Sequence, residues 1–283
     1  LAELHLSGTP QLGNALLSLQ NDTDPKVRFQ LVCTLGFLDT PEATEVRHKI
    51  LLQDIDDEWV QVAALSASAS QTSALLNFVL KNFLGSVPAY SSLVKRLTAM
   101  IGAAGDPIAI RQLIQNATRL ESKDHTWQGP ALNGLAEGIK SNKSVAAISE
   151  TEQALLIKTF FDHPSDAVRK ASLSVLKETG IKNEVQAKNA IVRAVTIAKD
   201  HKQSDVKRAD AIDFLSLRNP APYAALLMNL FVPTEELSIQ LAALRTLSAI
   251  PDTTVCVYLL KQWPVLTPEI RDAAVKTFLV DDE

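Results

Sequence analysis

Histidine can ligate a metal or move a proton near neutral pH, and a cysteine thiolate can act as a nucleophile. The five histidines, His5, His48, His125, His163 and His201, stand singly, with no HExxH pair and no Cys/His grouping at metal-ligand spacing. They are expected as surface or capping residues, His163 within a turn. Cys33 and Cys256 form neither a CxxC pair nor a haem-attaching CxxCH. Cys33 is expected as a small buried side chain. Asp56-Asp57-Glu58 could supply paired carboxylates for acid–base work or a cation site. The competing reading makes Asp57 a helix N-cap whose acidic neighbours favour the positive helix start, and it is preferred. Asp281-Asp282-Glu283 carries no clear message. No GxxxxGK[ST], GxGxxG or GxSxG occurs, so phosphate cradles and nucleophile elbows have no foothold. Trp59, Trp127 and Trp263 could form an aromatic recognition surface, Trp127 being expected in the core instead. The expectation is therefore no catalytic, cofactor-binding or metal-ligating residue, and no cofactor.

The bulk properties agree with a folded, non-basic chain. Of 283 residues, 46% are hydrophobic and 21% charged, which argues against extended disorder. Ten glycines and 5% aromatics, against abundant Ala and Leu, favour helices over sheet. Twenty-eight Lys and Arg against 32 Asp and Glu leave a net charge of −4, which disfavours a generic polyanion binder. Between Lys182 and Arg218, eight basic residues face five acids for a local net of +3. That stretch is expected as a solvated, ion-paired face. Leu1–Pro10 lacks the basic start and apolar core of a secretion signal, and the missing initiator Met implies an excised or processed piece. No apolar run approaches the roughly 20 residues of a membrane helix.

Side chains can be positioned only by elements, and here the elements repeat. Asp24-Pro25-Lys26-Val27-Arg28 overlays on Pro164-Ser165-Asp166-Ala167-Val168-Arg169 through the shared Val-Arg, after which Val32 meets Leu173 and Leu35 meets Leu176. Carried along the chain, this frame yields eight anchors: Val27, Val60, Leu93, Trp127, Val168, Val206, Ile239 and Ile270, spaced 33, 33, 34, 41, 38, 33 and 31. Five residues later stand Val32, Leu65, Thr98, Leu132, Leu173, Ala211, Leu244 and Val275. Eight residues later stand Leu35, Ser68, Ile101, Leu135, Leu176, Phe214, Leu247 and Phe278. Offsets of zero, five and eight fall on one broad helical face and do not suit a period of two. Asp24-Pro25, Thr40-Pro41, Asp106-Pro107 and Thr267-Pro268 mark helix starts, with a side-chain acceptor at the cap and proline in the first turn. Each unit reads as two helices. The first helices are expected near 11–20, 41–52, 71–84, 107–119, 149–161, 185–199, 221–231 and 252–262. The two longer spacings place insertions at Lys140-Ser141-Asn142-Lys143-Ser144 and Lys199 to Ser204. In a linear stack, Cys33 and Cys256 lie in the first and last units, too far apart for a disulfide.

The Asp-Pro-x-Val-Arg opening of a second helix, followed by Ala and Leu at core offsets, resembles the HEAT-repeat signature over nearly the whole chain. The resemblance implies a polar ladder in which Arg28, Arg169, Lys207 and Arg271 meet acids of adjacent units. Gln61, Val94, Gln128 and Gln240 interrupt that ladder. Pro10-Gln11-Leu12, Asp24 to Gly36 and Asp56 to Ser66 further resemble the HEAT segment of large exported bacterial proteins joining a sugar-dehydrogenase-like β-propeller to a c-type cytochrome domain. This narrower likeness covers mainly the first 70 residues. It implies a periplasmic or surface origin, a propeller before Leu1 and a CxxCH after Glu283.

The fold class expected is all-α, an α-α superhelix (HEAT-like solenoid) of about eight helical hairpins, with residues 1–283 forming a single domain. The function expected is a non-catalytic module that binds a protein partner or positions neighbouring domains of the same parent chain. A nucleic-acid-binding HEAT-like protein of the DNA-glycosylase kind and a free-standing scaffold are the alternatives. No nucleic-acid partner and no transmembrane segment are expected. The location expected is periplasmic or cell-surface if the likeness holds, and otherwise cytoplasmic.

Overall fold

The computed structural model describes residues 10–66, 71–120, 126–142, 148–251 and 253–278. Within them the chain is all-helical, with no strand. It divides into two compact units, Leu1–Thr179 and Gly180–Glu283. The first contains α1 (Pro10–Ser18), α2 (Pro25–Leu35), α3 (Pro41–Gln53), α4 (Glu58–Leu65), α5 (Thr72–Lys81), α6 (Pro88–Ala104), α7 (Pro107–Ala117), α8 (Gln128–Ser141), α9 (Glu150–Asp162) and α10 (Asp166–Thr179). The second contains α11 (Glu184–Lys199), α12 (Asp205–Phe214), α13 (Ala224–Met228), α14 (Leu237–Leu247), α15 (Thr253–Gln262) and α16 (Pro268–Phe278). Odd-numbered helices are the first helices of the eight pairs.

The helix starts follow from local chemistry. The first backbone N–H groups of a helix lack internal acceptors, and a short polar side chain at the cap supplies one. Asp24 accepts from Lys26 N at 2.9 Å, Thr40 from Ala43 N at 3.2 Å, and Asp106 from Ile108 N at 2.9 Å. Asp57 accepts from Trp59 N at 2.8 Å, so it caps α4. The seventh first helix departs from the expected 221–231. It breaks into a 3₁₀ turn, Ala221–Tyr223, and the short α13. Pro222 offers no N–H to continue a ladder at that point.

Burial follows the repeat frame. Val60, Leu93, Val168, Ile239 and Ile270 are at most 1% exposed, and Val32, Leu132, Leu135, Leu176 and Leu247 are fully buried. Val27, Trp127 and Leu65 are half-buried, and Val275 is exposed. Ser68 and the Phe278 side chain lie outside the described residues. In the sixth pair only the head of the helix slips. Ala211 and Phe214 are buried as the frame expects, at 1% and 0% exposed, but Val206 is exposed and the buried donor is Arg208, one residue later than in the other pairs. Val206-Lys207 imitates the Val-Arg pair, but the helix starting at Asp205 turns both outward and gives the buried position to Arg208.

That position has a common task. Arg28 donates to Asp22 O at 2.7 Å, Gln61 to Ile55 O at 2.8 Å, and Gln128 to Arg119 O at 2.7 Å. Arg169 donates to His163 O at 3.1 Å, Arg208 to Ala198 O at 3.2 Å, Gln240 to Glu235 O at 2.9 Å, and Arg271 to Trp263 O at 2.9 Å. In each case the acceptor belongs to the end of the preceding first helix or to the turn after it. Carbonyls there have no helical partner, and the side chain at the head of the second helix reaches back to satisfy one. Glutamine therefore does not interrupt the row, because its amide N–H₂ is a planar donor like one arm of a guanidinium. The ionic part of the ladder is sparser. Arg28 pairs with Asp54 at 2.7 Å and Arg208 with Glu235 at 2.9 Å, each acid lying in the following pair of helices.

Second helices pack on one another in succession, α2 on α4, α6 on α8, and α8 on α10 in the first unit, and α12 on α14 and α14 on α16 in the second. The closest approach is α6 to α8. A Cβ on Gly134 would overlap Lys95 O and Thr98 Oγ1, and one on Gly138 would overlap Ala99 O. Glycines one turn apart let the two backbones touch.

Candidate functional site

The site is built around α3. Its stripe of Ala43, Val46, Ile50 and Leu51 is buried, and the fifth member of that stripe is Arg47, 6% exposed. A charged residue at a core-facing position must send its head group sideways or leave it buried. Arg47 sends it toward the start of α5. Its Nη2 donates to Thr44 Oγ1 and Gln71 Oε1, both at 3.0 Å, while Nε is buried without a partner. Gln71 in turn donates to Asp39 Oδ1 at 3.0 Å. Burial pushes the guanidinium below its ordinary pKa, and Asp39 pulls it back up.

Neighbouring side chains extend the polar patch. The His48 ring stacks on Phe78 of α5, with centroids 4.0 Å apart and planes at 17°. Burial, reinforced by the charge of Arg47, pushes the His48 pKa below the ordinary histidine value. Lys49 Nζ donates to Gln20 Oε1 at 3.2 Å and Asn21 Oδ1 at 2.8 Å, tying α3 to the 3₁₀ turn that follows α1. Around these residues runs a groove of about 1110 Å³, with Leu17, Leu51, Leu52 and Leu75 on its walls and Asp39, Glu42 and Glu45 among its lining. Two smaller pockets, of about 290 and 270 Å³, lie by Thr118 to His163 and by Leu16 to Thr34.

The chain matches no protein-family model, and no curated protein matches it in sequence.

The residues singled out by chemistry are dispersed. His5, His125 and Asp281 to Glu283 lie outside the described residues. His48 caps no helix, and its half-buried ring lines the groove, stacked on Phe78. His163, expected as a surface or capping residue within a turn, is the C-cap of α9 and is 2% exposed. It ends α9, its Nδ1 accepts from Ser165 N at 3.1 Å, and its carbonyl receives Arg169. His201 is exposed, 3.5 Å from Glu235. Cys33 and Cys256 are half-buried thiols. Trp59 is 70% exposed, and Trp263 has the Arg271 guanidinium 6.0 Å from its ring centroid. Lys140 and Ser141, expected in an insertion, close α8, and Asn142 donates to Ala103 O at 2.9 Å. Lys143 and Ser144 lie outside the described residues. In the basic stretch, Arg218 pairs with Glu184 and Arg208 with Glu235, both at 2.9 Å. Between Lys199 and Ser204, Asp200 closes the turn by accepting from Lys202 N at 3.0 Å and Gln203 Nε2 at 3.1 Å, and these hydrogen bonds lower its pKa.

Arg47, Lys49 and Gln71 escaped a search for catalytic motifs, since a binding residue needs no motif. The signal was present as one arginine interrupting an apolar stripe at 43, 46, 50 and 51. No described helix is long and apolar enough to cross a membrane.

Proposed function

We propose that this chain is a non-catalytic helical-repeat module of the HEAT type that binds a protein partner or positions neighbouring domains of its parent chain. The observation that carries the reading is the recurrent donor at the head of the second helix, at Arg28, Gln61, Gln128, Arg169, Arg208, Gln240 and Arg271. One two-helix plan, repeated in both units, is how solenoid proteins build surface for recognition. The groove around α3 is of a size to take part of a partner. The parent proposed is a bacterial exported oxidoreductase with a β-propeller before Leu1 and a c-type haem motif after Glu283, on the likeness of residues 10–70.

Two measurements test this. Sequencing the coding region on either side of the segment is expected to reveal the propeller and CxxCH, and a self-contained gene leaves only the free-standing scaffold. Biolayer interferometry with the immobilised chain is expected to detect binding of at least one flanking domain. A chain that binds none of them is not a domain-positioning module.

A further inference from the structure

Buried charges in folded proteins are paired, because desolvating an ion costs more than the fold recovers without a counter-charge. Four arginines are buried among the described residues, and three obey this rule. Arg28 faces Asp54, Arg169 faces Asp166, and Arg208 faces Asp205 and Glu235. Arg47, the fourth, is in no ion pair with a described residue, and Asp39 reaches it only through Gln71. The comparison with Arg28 is direct. Arg28 presents its Nε and Nη2 edge to both oxygens of Asp54, each bond 2.7 Å long. The same edge of Arg47 has a neutral amide oxygen, Gln71 Oε1, on Nη2 and nothing on Nε. Arg47 also lines the groove of about 1110 Å³ around α3, whereas the Asp54 carboxylate closes off Arg28.

We propose that Arg47 is a carboxylate-binding site, and that its ligand is a protein segment presenting one acidic side chain among apolar ones. The carboxylate takes the Nε–Nη2 edge as Asp54 does on Arg28, displacing Gln71 Oε1, while Gln71 keeps its bond to Asp39. Three features select this class of ligand. The groove, at about 1110 Å³, is far larger than a free inorganic anion needs. Its walls of Leu17, Leu51, Leu52 and Leu75 suit apolar side chains. Its acids, Asp39, Glu42 and Glu45, repel a multiply charged phosphate more strongly than a single carboxylate, for which Arg47 and Lys49 in the same lining supply positive charge. The inference rests on the reading of the chain as an interaction module and names one of its sites.

The test uses the whole 283-residue chain and acetyl-Leu-Leu-Glu-Leu-Leu-amide as probe, followed through the Arg47 Nε–Hε NMR resonance, assigned with R47K. Saturable displacement of that resonance is expected, with the Glu→Gln peptide binding about tenfold or more weakly. Equal binding of the two peptides, or no displacement, overturns the site. So does stronger displacement by inorganic phosphate or by decanoate, which would give the groove to a small anion or a fatty acid. Stability supplies an independent sign. R47M removes an unpaired buried charge, so its Tm is expected to match or exceed that of wild type while peptide binding is lost. A Tm well below wild type would make Arg47 a structural tie between α3 and Gln71 and overturn the assignment. Failure here leaves flanking-domain binding untouched, so the two readings fail separately.

Discussion

Whether a buried polar side chain supports the fold or serves a ligand is decided by what its atoms touch. Gln240 is 5% exposed and donates to Val232 O at 3.3 Å and Glu235 O at 2.9 Å, so its atoms are committed to the fold. Gln240→Leu keeps the volume and removes the donor, leaving a turn carbonyl unsatisfied. Urea unfolding should show a loss of about 1–3 kcal/mol, and an unchanged midpoint would mean that water replaces the amide. His48 carries a pH dependence with a definite sign. Burial, and secondarily Arg47, depress its pKa in the folded state, so the unfolded chain binds the proton more readily. The stability this group lends the fold is therefore fully present above the folded and unfolded pKa values. It falls as pH drops below the ordinary histidine value toward the depressed one. Thermal melts of wild type and His48→Phe at about pH 7.5 and about pH 5 should show wild type losing more on acidification. Equal losses would assign the acid sensitivity elsewhere.

At the scale of elements, the pairing of helices is governed by caps and turns, and their closeness by the smallest side chains. The α6–α8 crossing depends on Gly102, Gly134 and Gly138. A Cβ at Gly102 would come within 2.7 Å of Leu135 O, and those at Gly134 and Gly138 would strike backbone on α6. Alanine normally favours a helix over glycine by about 1 kcal/mol, so propensity alone predicts that Gly138→Ala stabilises α8. Backbone overlap outweighs that gain. The expected result is a net loss of about 1–3 kcal/mol or more in chemical denaturation. Gly13, by contrast, has open space where its Cβ would stand, so Gly13→Ala is the matched control and should not destabilise. A neutral Gly138→Ala would show that the two helices can slide apart at small cost.

For the whole molecule, electrostatics bears on the choice among partner classes. The net charge is −4, and within the basic stretch Arg208 and Arg218 are engaged by Glu235 and Glu184. Affinity for duplex DNA comes largely from counterion release by unpaired Lys and Arg, so no useful binding is expected. Fluorescence anisotropy with a DNA duplex at about 150 mM salt is the check. Tight binding that weakens steeply with added salt would bring the nucleic-acid reading forward.

The sequence by itself determined the helical class, the arrangement in about eight helix pairs seen among the described residues, the capped starts at Asp24, Thr40, Asp57 and Asp106, and most of the core positions. These follow from short-range rules, since caps act within three residues and an apolar face recurs with the helical period. What the tertiary structure decided is where side chains lie relative to groups distant in the chain. Arg28 follows the Val of an Asp-Pro-x-Val-Arg helix start and Arg47 interrupts an apolar stripe, but neither local setting specifies which group the guanidinium meets. Only the folded chain brings Asp54 to one and an amide to the other. Equally, it decided that Gln61 and Gln240 do the work of Arg169, because the requirement is a donor for a stranded carbonyl and not a charge. The slip at Val206 has the same origin. A two-residue likeness cannot locate a helix start, whereas the depth at which Arg208 is buried can.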